Sequence, residues 1–544
     1  MKFFRLLWLL LFSVELWSQP LSTRSENYTK ADTLRGSNTE YRKGWNVKQY
    51  AITIEPDFAA RSLKGVNIIK FDLGAQPVMQ IDLQEPMKID SIFTQDSTPV
   101  PFRKEGNFYY LDLTGYFKYN TTNNKLKIYF SGKPVLAKKP PWDGGWIFAK
   151  DRNGNHWMTV ACEGIGASIW FPCKDYSGDE PEEGALLTIV TDKDIKGVGN
   201  GKLIEVREVT GKKYYTWQVV NPINNYNIIP YIGDYVNFSD TYEGEKGSLQ
   251  LDYWVLPYNL DKAKNQFKQV KDMLKALEYW FGAYPFYEDG YKLVESPHLG
   301  MEHQSAIAYG NGYRNGYLGS DRSGTGAGLK WDFIIVHESG HEWFGNSITH
   351  VDVADMWIHE AFATYSETLF VEYHYGKEEA NNYIIGQRRN IQNDIPIIGI
   401  YGVNREGSSD MYDKGANMLH TIRQIIDDDE KFRNILRGLN EEFYHQTVTT
   451  RQVEDYISKK SGIDFSKVFD QYLRTTLIPT LEYKIKNKKL TYRWVNTLPD
   501  FTMEIKTSFG KIKPTTQWQS YEIKTSGLDF FVDKNYYVDT NKIE

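Results

Sequence analysis

His337-Glu338-Ser339-Gly340-His341 sets two imidazoles four residues apart with a carboxylate between them. On a helix this spacing puts both rings on one face, one turn apart, where they can share a metal ion. Glu338, the next residue after His337, projects beside such an ion rather than onto it. Only two cysteines are present, Cys162 and Cys173, which excludes a cysteine-based zinc knuckle and leaves histidine and carboxylate as ligands. A catalytic zinc takes three protein ligands and keeps its fourth position for water. Glu360, with 18 residues between it and His341, opens the segment Glu360-Ala361-Phe362-Ala363-Thr364-Tyr365-Ser366-Glu367 and is the candidate third ligand. Two neutral imidazoles and one carboxylate leave the site positive, which lowers the pKa of bound water toward about 7. Glu338 is then placed to take the water proton and pass it to a leaving amine. No Ser, Cys or Thr nucleophile is required. Glu367, two turns along the same face as Glu360, reads either as the carboxylate holding a ligating histidine by its free ring nitrogen or as a solvated helix residue.

Several elements must position these groups. Lys2 and Arg5 precede an apolar run from Leu6 to Val14, and Ser18 follows, which is the grammar of a secretory signal peptide over residues 1–18. The run is too short for a bilayer span, which needs about 20 residues, and no later segment is long and apolar enough, so no stable membrane span is expected. The location implied is secreted or periplasmic, an oxidising setting in which Cys162 and Cys173 either pair or stay as two buried thiols. A polar linker is expected over 19–44. Residues 45–240 read as short alternating strands separated by Gly, Asn and Pro turns, predicting an N-terminal β-sandwich. From Asp261, placed to cap a helix, Phe267, Val270, Met273, Leu274, Leu277, Trp280 and Phe281 fall at helical spacing, stopped by Gly282 and Pro285. A mainly helical catalytic domain is expected over 241–478, including a flexible Gly-rich loop from Gly310 to Gly328 with no Lys-Ser/Thr pair for a phosphate site. The last segment, 479–544, alternates again and predicts a small C-terminal β-sandwich. The class is multidomain α+β.

Composition narrows the partners. A net charge of −6 offers no basic field for nucleic acid, and 15% aromatic residues argue against a disordered polymer. Nothing in the chain fixes an oligomeric state or a side-chain preference.

The motifs together resemble the gluzincin family of zinc aminopeptidases that includes aminopeptidase N and leukotriene hydrolase. His337 to Asn346, followed by Trp357-Ile358-His359-Glu360-Ala361-Phe362-Ala363, is similar to its zinc signature. Leu299-Gly300-Met301-Glu302-His303 stands where that family has Gly-Ala-Met-Glu-Asn, and Tyr412-Asp413-Lys414-Gly415 resembles its Tyr-Glu-Lys-Gly segment. Trp170-Phe171-Pro172-Cys173-Lys174-Asp175 and Tyr231-Ile232-Gly233-Asp234-Tyr235 resemble two markers of its amino-terminal β-domain.

The resemblance implies one zinc ion held by His337, His341 and Glu360, a thermolysin-like catalytic domain, and peptides with a free N-terminus as substrates. It implies that Glu302 binds the substrate α-amino group beside Gly300 and Met301, that Glu163 is a second amine-binding residue, and that Tyr412 donates to the oxyanion. Without it, Glu302 reads as a solvated loop carboxylate and Tyr412 as a packed aromatic. Three departures stand out. Leu299 and His303 replace the first and last residues of the Gly-Ala-Met-Glu-Asn segment. His359 and Ala361 flank the third ligand. The sequence also ends without the large helical carboxy-terminal domain of many relatives, which predicts a more open site. A zinc endopeptidase on the same core is the alternative, and a catalytically silent surface protein a remoter one, since no ligand or base is missing. Pro140-Pro141-Trp142-Asp143-Gly144-Gly145-Trp146 reads as a hairpin tip or a wall of the side-chain pocket.

Overall fold

The computed structural model describes residues 27–523 and 529–544, so the signal-peptide segment 1–18 lies outside the described residues. The β-rich region opens with strand Trp45–Asp57. Val47 and Tyr50 both face the core although three residues apart, because the register with strand Ser62–Leu73 shifts between Val47 and Gln49. A bulged residue there restores the alternation that continues through Ile52 and Ile54. Seven strands form the main sheet, in the spatial order Lys202–Val209, Lys212–Val219, Ala185–Asp192, Trp45–Asp57, Ser62–Leu73, Thr121–Gly132 and Lys88–Thr94. A four-stranded sheet and a three-stranded sheet share its hydrophobic core, with Trp146, Trp170 and Phe171 fully buried.

One expectation changes here, and one open alternative closes. The presumed linker is structured from residue 30 onward, as helices Lys30–Gly36 and Glu40–Lys43. Thr29 and Asp32 form a reciprocal capping box, and Arg42 is fully buried against Asp82 at 2.6 Å while donating to the Arg35 and Ser37 carbonyls. A buried guanidinium whose two terminal nitrogens are paired in this way fastens the segment to the β-rich region. Cys162 and Cys173 are two buried free thiols rather than a disulfide.

The expected boundary at 240/241 falls inside strand Val236–Gly244. That strand pairs with Gly247–Val255 in a five-stranded sheet that continues through Tyr291–Glu295, Ile307–Tyr309 and Gly300–Met301. The helix expected from Asp261 is two, Leu260–Gln266 and Gln269–Phe281, and Asp261 does not cap the first. The apolar stripe is buried as its spacing implies, and Gly282 ends the second helix at φ +95°. The Gly-rich segment is tied down rather than free. Asn311 donates to the Arg314 and Gly316 carbonyls and to Asp332, and Arg389 donates to the Asp321 carbonyl.

Helix Phe333–Gly340 carries His337 and packs on helix Trp357–Tyr375, which carries Glu360. Gly340 lets them approach, since a β-carbon there would lie 2.5 Å from the Ser366 hydroxyl. Gly415 plays the same part for helix Asp413–Ile426, where a β-carbon would lie 2.7 Å from that of Ala361. The C-terminal segment forms a four-stranded sheet and a two-stranded hairpin. Its Leu481, Trp494 and Phe501 join the core of the helical region rather than closing a separate one.

Asp332 caps the His337 helix. Fully buried, it accepts from the Ile334 and Ile335 amides, from Tyr309 and Gln266 on one oxygen, and from Asn311 on the other. Losing the cap and orphaning buried donors each cost on the order of 1–2 kcal/mol. Asp332→Ala is therefore expected to lower chemical-denaturation stability by roughly 2–4 kcal/mol. An unchanged denaturation midpoint would show that the cap does not hold the helix.

Candidate metal centre

His341 follows the last residue of its helix but keeps helical geometry at φ −66° and ψ −20°, so the four-residue spacing from His337 still places both rings on one side. Their Nε2 atoms lie 3.6 Å and 3.4 Å from Glu360 Oε2. The other ring nitrogens are engaged: His337 Nδ1 donates to Glu367 Oε1 at 2.8 Å, and His341 Nδ1 to the Phe344 carbonyl at 3.1 Å. In the neutral rings both Nε2 atoms then carry lone pairs, aimed at a carboxylate oxygen that is buried and has no hydrogen-bond partner. Three electron-rich atoms converging out of contact with water repel one another unless a positive charge sits among them. Burial opposes an imidazolium at His337, yet Glu360 and Glu367 outweigh it and hold that ring up to about 10. Burial pushes the Glu360 carboxyl up, while His341 and His337 pull it below its ordinary range. The two-nitrogen, one-oxygen donor set suits zinc, so the residues fit the expected ion.

Glu367 is no solvated helix carboxylate. It is buried, and its second oxygen accepts from Tyr383 at 2.7 Å and Gln387 at 2.8 Å. Glu338 stands beside the ligands, grouped with Glu302 and His341. Burial raises its carboxyl, the two histidines pull it back, and it rests at about 7. Gly300 leaves it room, since a β-carbon there would lie 2.6 Å from Glu338 Oε1. Strand Gly300–Met301 pairs with Ile307–Tyr309 and delivers Glu302 to the cleft.

Glu302 Oε1 accepts from Tyr226 at 2.9 Å, and Asn346 donates to the Glu302 carbonyl at 2.7 Å. Glu163 enters from the β-rich region. Burial, with Glu302, Glu360 and Glu406 nearby, pushes its carboxyl well up. Tyr412 lies with its ring 6.0 Å from that of His337, and burial and the surrounding carboxylates hold its phenol well above its ordinary range, hence protonated. All ten residues expected at the site line one cleft of about 830 Å³.

The departures separate. Leu299 lines this cleft. His303 does not: its Nδ1 donates to the Tyr231 hydroxyl, which donates to the Ala306 carbonyl. His359 is buried and stacked on His350 at 4.2 Å, and its Nε2 accepts from the His350 amide. Pro141 and Trp142 do line the cleft. Sequence reasoning missed Tyr226, Arg322 and Glu406, which belong to no motif and meet the site only through the fold. Asn346 ended the quoted zinc signature, and that position was the available signal.

Residues 258–472 match the Peptidase family M1 domain. Probable aminopeptidase 1 of Sulfurisphaera tokodaii is 23% identical over 396 residues, covering 69% of this chain and 47% of that protein. Probable aminopeptidase 2 of the same organism is 22% identical over 466 residues, 82% of this chain and 55% of that protein. Aminopeptidase N of Lactococcus lactis is 28% identical over 228 residues, covering 38% of this chain and 27% of that protein. The chain thus spans about half the length of the two Sulfurisphaera relatives. An M1 zinc metallopeptidase from Deinococcus radiodurans shares the fold, with a TM-score of 0.66 and 17% identity over 80% of this chain and 95% of that one. The matched range holds every candidate site residue except Glu163, which lies with Tyr226 outside it.

Glu367 fixes the tautomer and direction of His337. Carboxylates behind metal-bound histidines are worth roughly 10–100-fold in metal affinity, and that loss is expected for Glu367→Ala in competition titrations with a chelator. Equal retention of zinc by the variant and the parent would reduce Glu367 to a packing residue.

Proposed function

We propose that the protein is a zinc aminopeptidase that removes the N-terminal residue from peptides. The carrying observation is the pair Glu338 and Glu302, grouped with the ligand His341: one carboxylate for proton transfer, and one for an ammonium at a fixed offset from the metal position. A zinc ion bound by His337, His341 and Glu360 supplies a Lewis acid that makes water a nucleophile near neutral pH. Glu338, poised near 7, accepts the proton of the attacking water and returns it to the departing amine. Tyr412 donates its phenol hydrogen to the oxygen that gains charge, an interaction stronger in the transition state than in the ground state. Glu302, oriented by Tyr226, and Glu163 receive the α-ammonium, so only the first peptide bond reaches the reacting position. Leu299, Trp142 and Ile165 are among the apolar cleft residues available to a substrate side chain.

The finer architecture belongs to the same proposal: an amino-terminal β-sandwich, a thermolysin-like domain and a small terminal β-domain, with a site open at the cleft mouth. So does secretion or a periplasmic location. The support is the residue pattern at 1–18 and the absence, among the described residues, of a helix long and apolar enough to cross a membrane.

A panel of amino-acyl anilides, their N-acetylated forms and a chelator tests the activity. Hydrolysis is expected for the free amines alone and should vanish with the chelator. Efficient cleavage of acetylated substrates would favour the endopeptidase alternative. Glu338→Gln is expected to keep zinc and lose about 10²–10⁴-fold in kcat. Tyr412→Phe is expected to lose about 10²–10³-fold in kcat with KM little changed. Near-parental turnover in Glu338→Gln would sink the mechanism.

A further inference from the structure

Strand Lys202–Val209 ends the seven-stranded sheet, paired with Lys212–Val219 on one side and with no strand on the other among the described residues. All eight of its residues are exposed. Leu203, Ile204, Val206 and Val209 are 38%, 52%, 50% and 40% exposed, an unusual apolar content for an edge in water. The strand is not loose at its start. The Gly201 amide just before it donates to Ser305 at 2.8 Å, and Lys292 donates to the Gly201 carbonyl.

We propose that two copies of this chain associate through this edge, strand against strand and antiparallel, about a two-fold axis at Val206. Cross-strand partners in an antiparallel ladder lie on the same face, so a two-fold pairing must be centred on a residue and not between residues. The faces follow from the existing ladder. Val206 opposes Tyr215 and Glu208 opposes Lys213 on one side, while Glu205 opposes Thr216 and Arg207 opposes Tyr214 on the other.

Among the centres from Glu205 to Glu208, in the regular part of the ladder, charge then selects the register. Centring on Glu205 sets two glutamates face to face, as does centring on Glu208, and centring on Arg207 sets two arginines together. Centring on Val206 puts valine against valine on the axis and brings each Glu205 opposite the Arg207 of the second copy. Opposite charges in such pairs stabilise a sheet and like charges destabilise it. Glu205 and Arg207 already share a face, 3.9 Å apart and both more than half exposed, so neither must leave a buried partner. On the far side of the axis the register shift between Leu203 and Glu205 limits the regular ladder, so the interface is short. Interfaces at the small end of the specific range bind weakly, and dissociation at roughly micromolar concentration is expected.

Sedimentation velocity on the whole chain over roughly 1–200 µM is the test. A concentration-dependent dimer is expected. Glu205→Arg and Arg207→Glu should each weaken it at least about tenfold, and the double variant should restore it, because the reversed charges face each other again. Val206→Cys should give a disulfide-linked dimer on oxidation, since Cα atoms directly opposite lie about 4.5–5.5 Å apart. All three positions are exposed, and circular dichroism checks that folding is intact. A monomer at the highest concentration overturns the proposal, as does a dimer indifferent to the single reversals. Weakening by both single variants without rescue by the double variant overturns the register.

Discussion

The convergence of His337 Nε2, His341 Nε2 and Glu360 Oε2 is the constraint around which the helical region is organised. Both nitrogens lie 3.4–3.6 Å from that oxygen, out of water, and without a cation the three atoms repel. Holding them there needs rigid support, and the support is visible on every side. Gly340 removes the side chain that would separate the helices. Asp332 satisfies the first amides of one of them. The Phe344 carbonyl and the Glu367 carboxylate take the outward ring hydrogens, which turns both lone pairs inward. Each device acts on orientation rather than affinity alone. A ring rotated by one rotamer would point a hydrogen at the ion position instead of a lone pair.

Carboxylates extend this logic across the cleft. Glu163, Glu302, Glu338, Glu360, Glu367 and Glu406 line it, against two arginines, Arg322 and Arg405. Burying so many acids is costly unless cations meet them, so the field favours a metal ion at one end and an ammonium beside it. The acids are not equivalent. Histidines depress Glu360, the same histidines restrain Glu338 near 7, and Glu163, with no cation beside it, is raised most plainly by burial and like charge. Environment, and not residue type, separates the protonation behaviour of these carboxylates.

The metal end was legible because its residues are local. A four-residue spacing on a helix is a geometric statement, and Glu360 and Glu367 repeat on one face by the same periodicity. Apolar spacing likewise located the stripe from Phe267 to Phe281. What escaped was everything set by contacts distant in sequence. Tyr226 reaches Glu302 across 76 residues, and Arg42 reaches Asp82 across 40. The buried Arg42 made a polar-looking segment into structure, because a guanidinium reads as solvated until its partner is known. The domain boundary failed for a related reason: Val236–Gly244 alternates like the strands before it, and only pairing with Gly247–Val255 assigns it to the later sheet.

His303 illustrates how a departure from a motif can act without touching the site. Its ring binds Tyr231 of the β-rich region, and its neighbours repeat the pattern: Asn200 donates to the Gln304 carbonyl, Ser305 accepts the Gly201 amide, and Asn227 donates to Asn346, which in turn holds the Glu302 carbonyl. The segment carrying Glu302 is thus fastened to the other region by successive residues. Buried bonds of this kind are costly to leave unmade, so the two regions cannot separate without orphaning them. The distance from Glu302 to the cluster of His337, His341 and Glu360 is then set by an interface rather than by one domain. The matched range 258–472 holds His337, His341 and Glu360 but not Glu163 or Tyr226, so the cleft is completed only where the two regions meet.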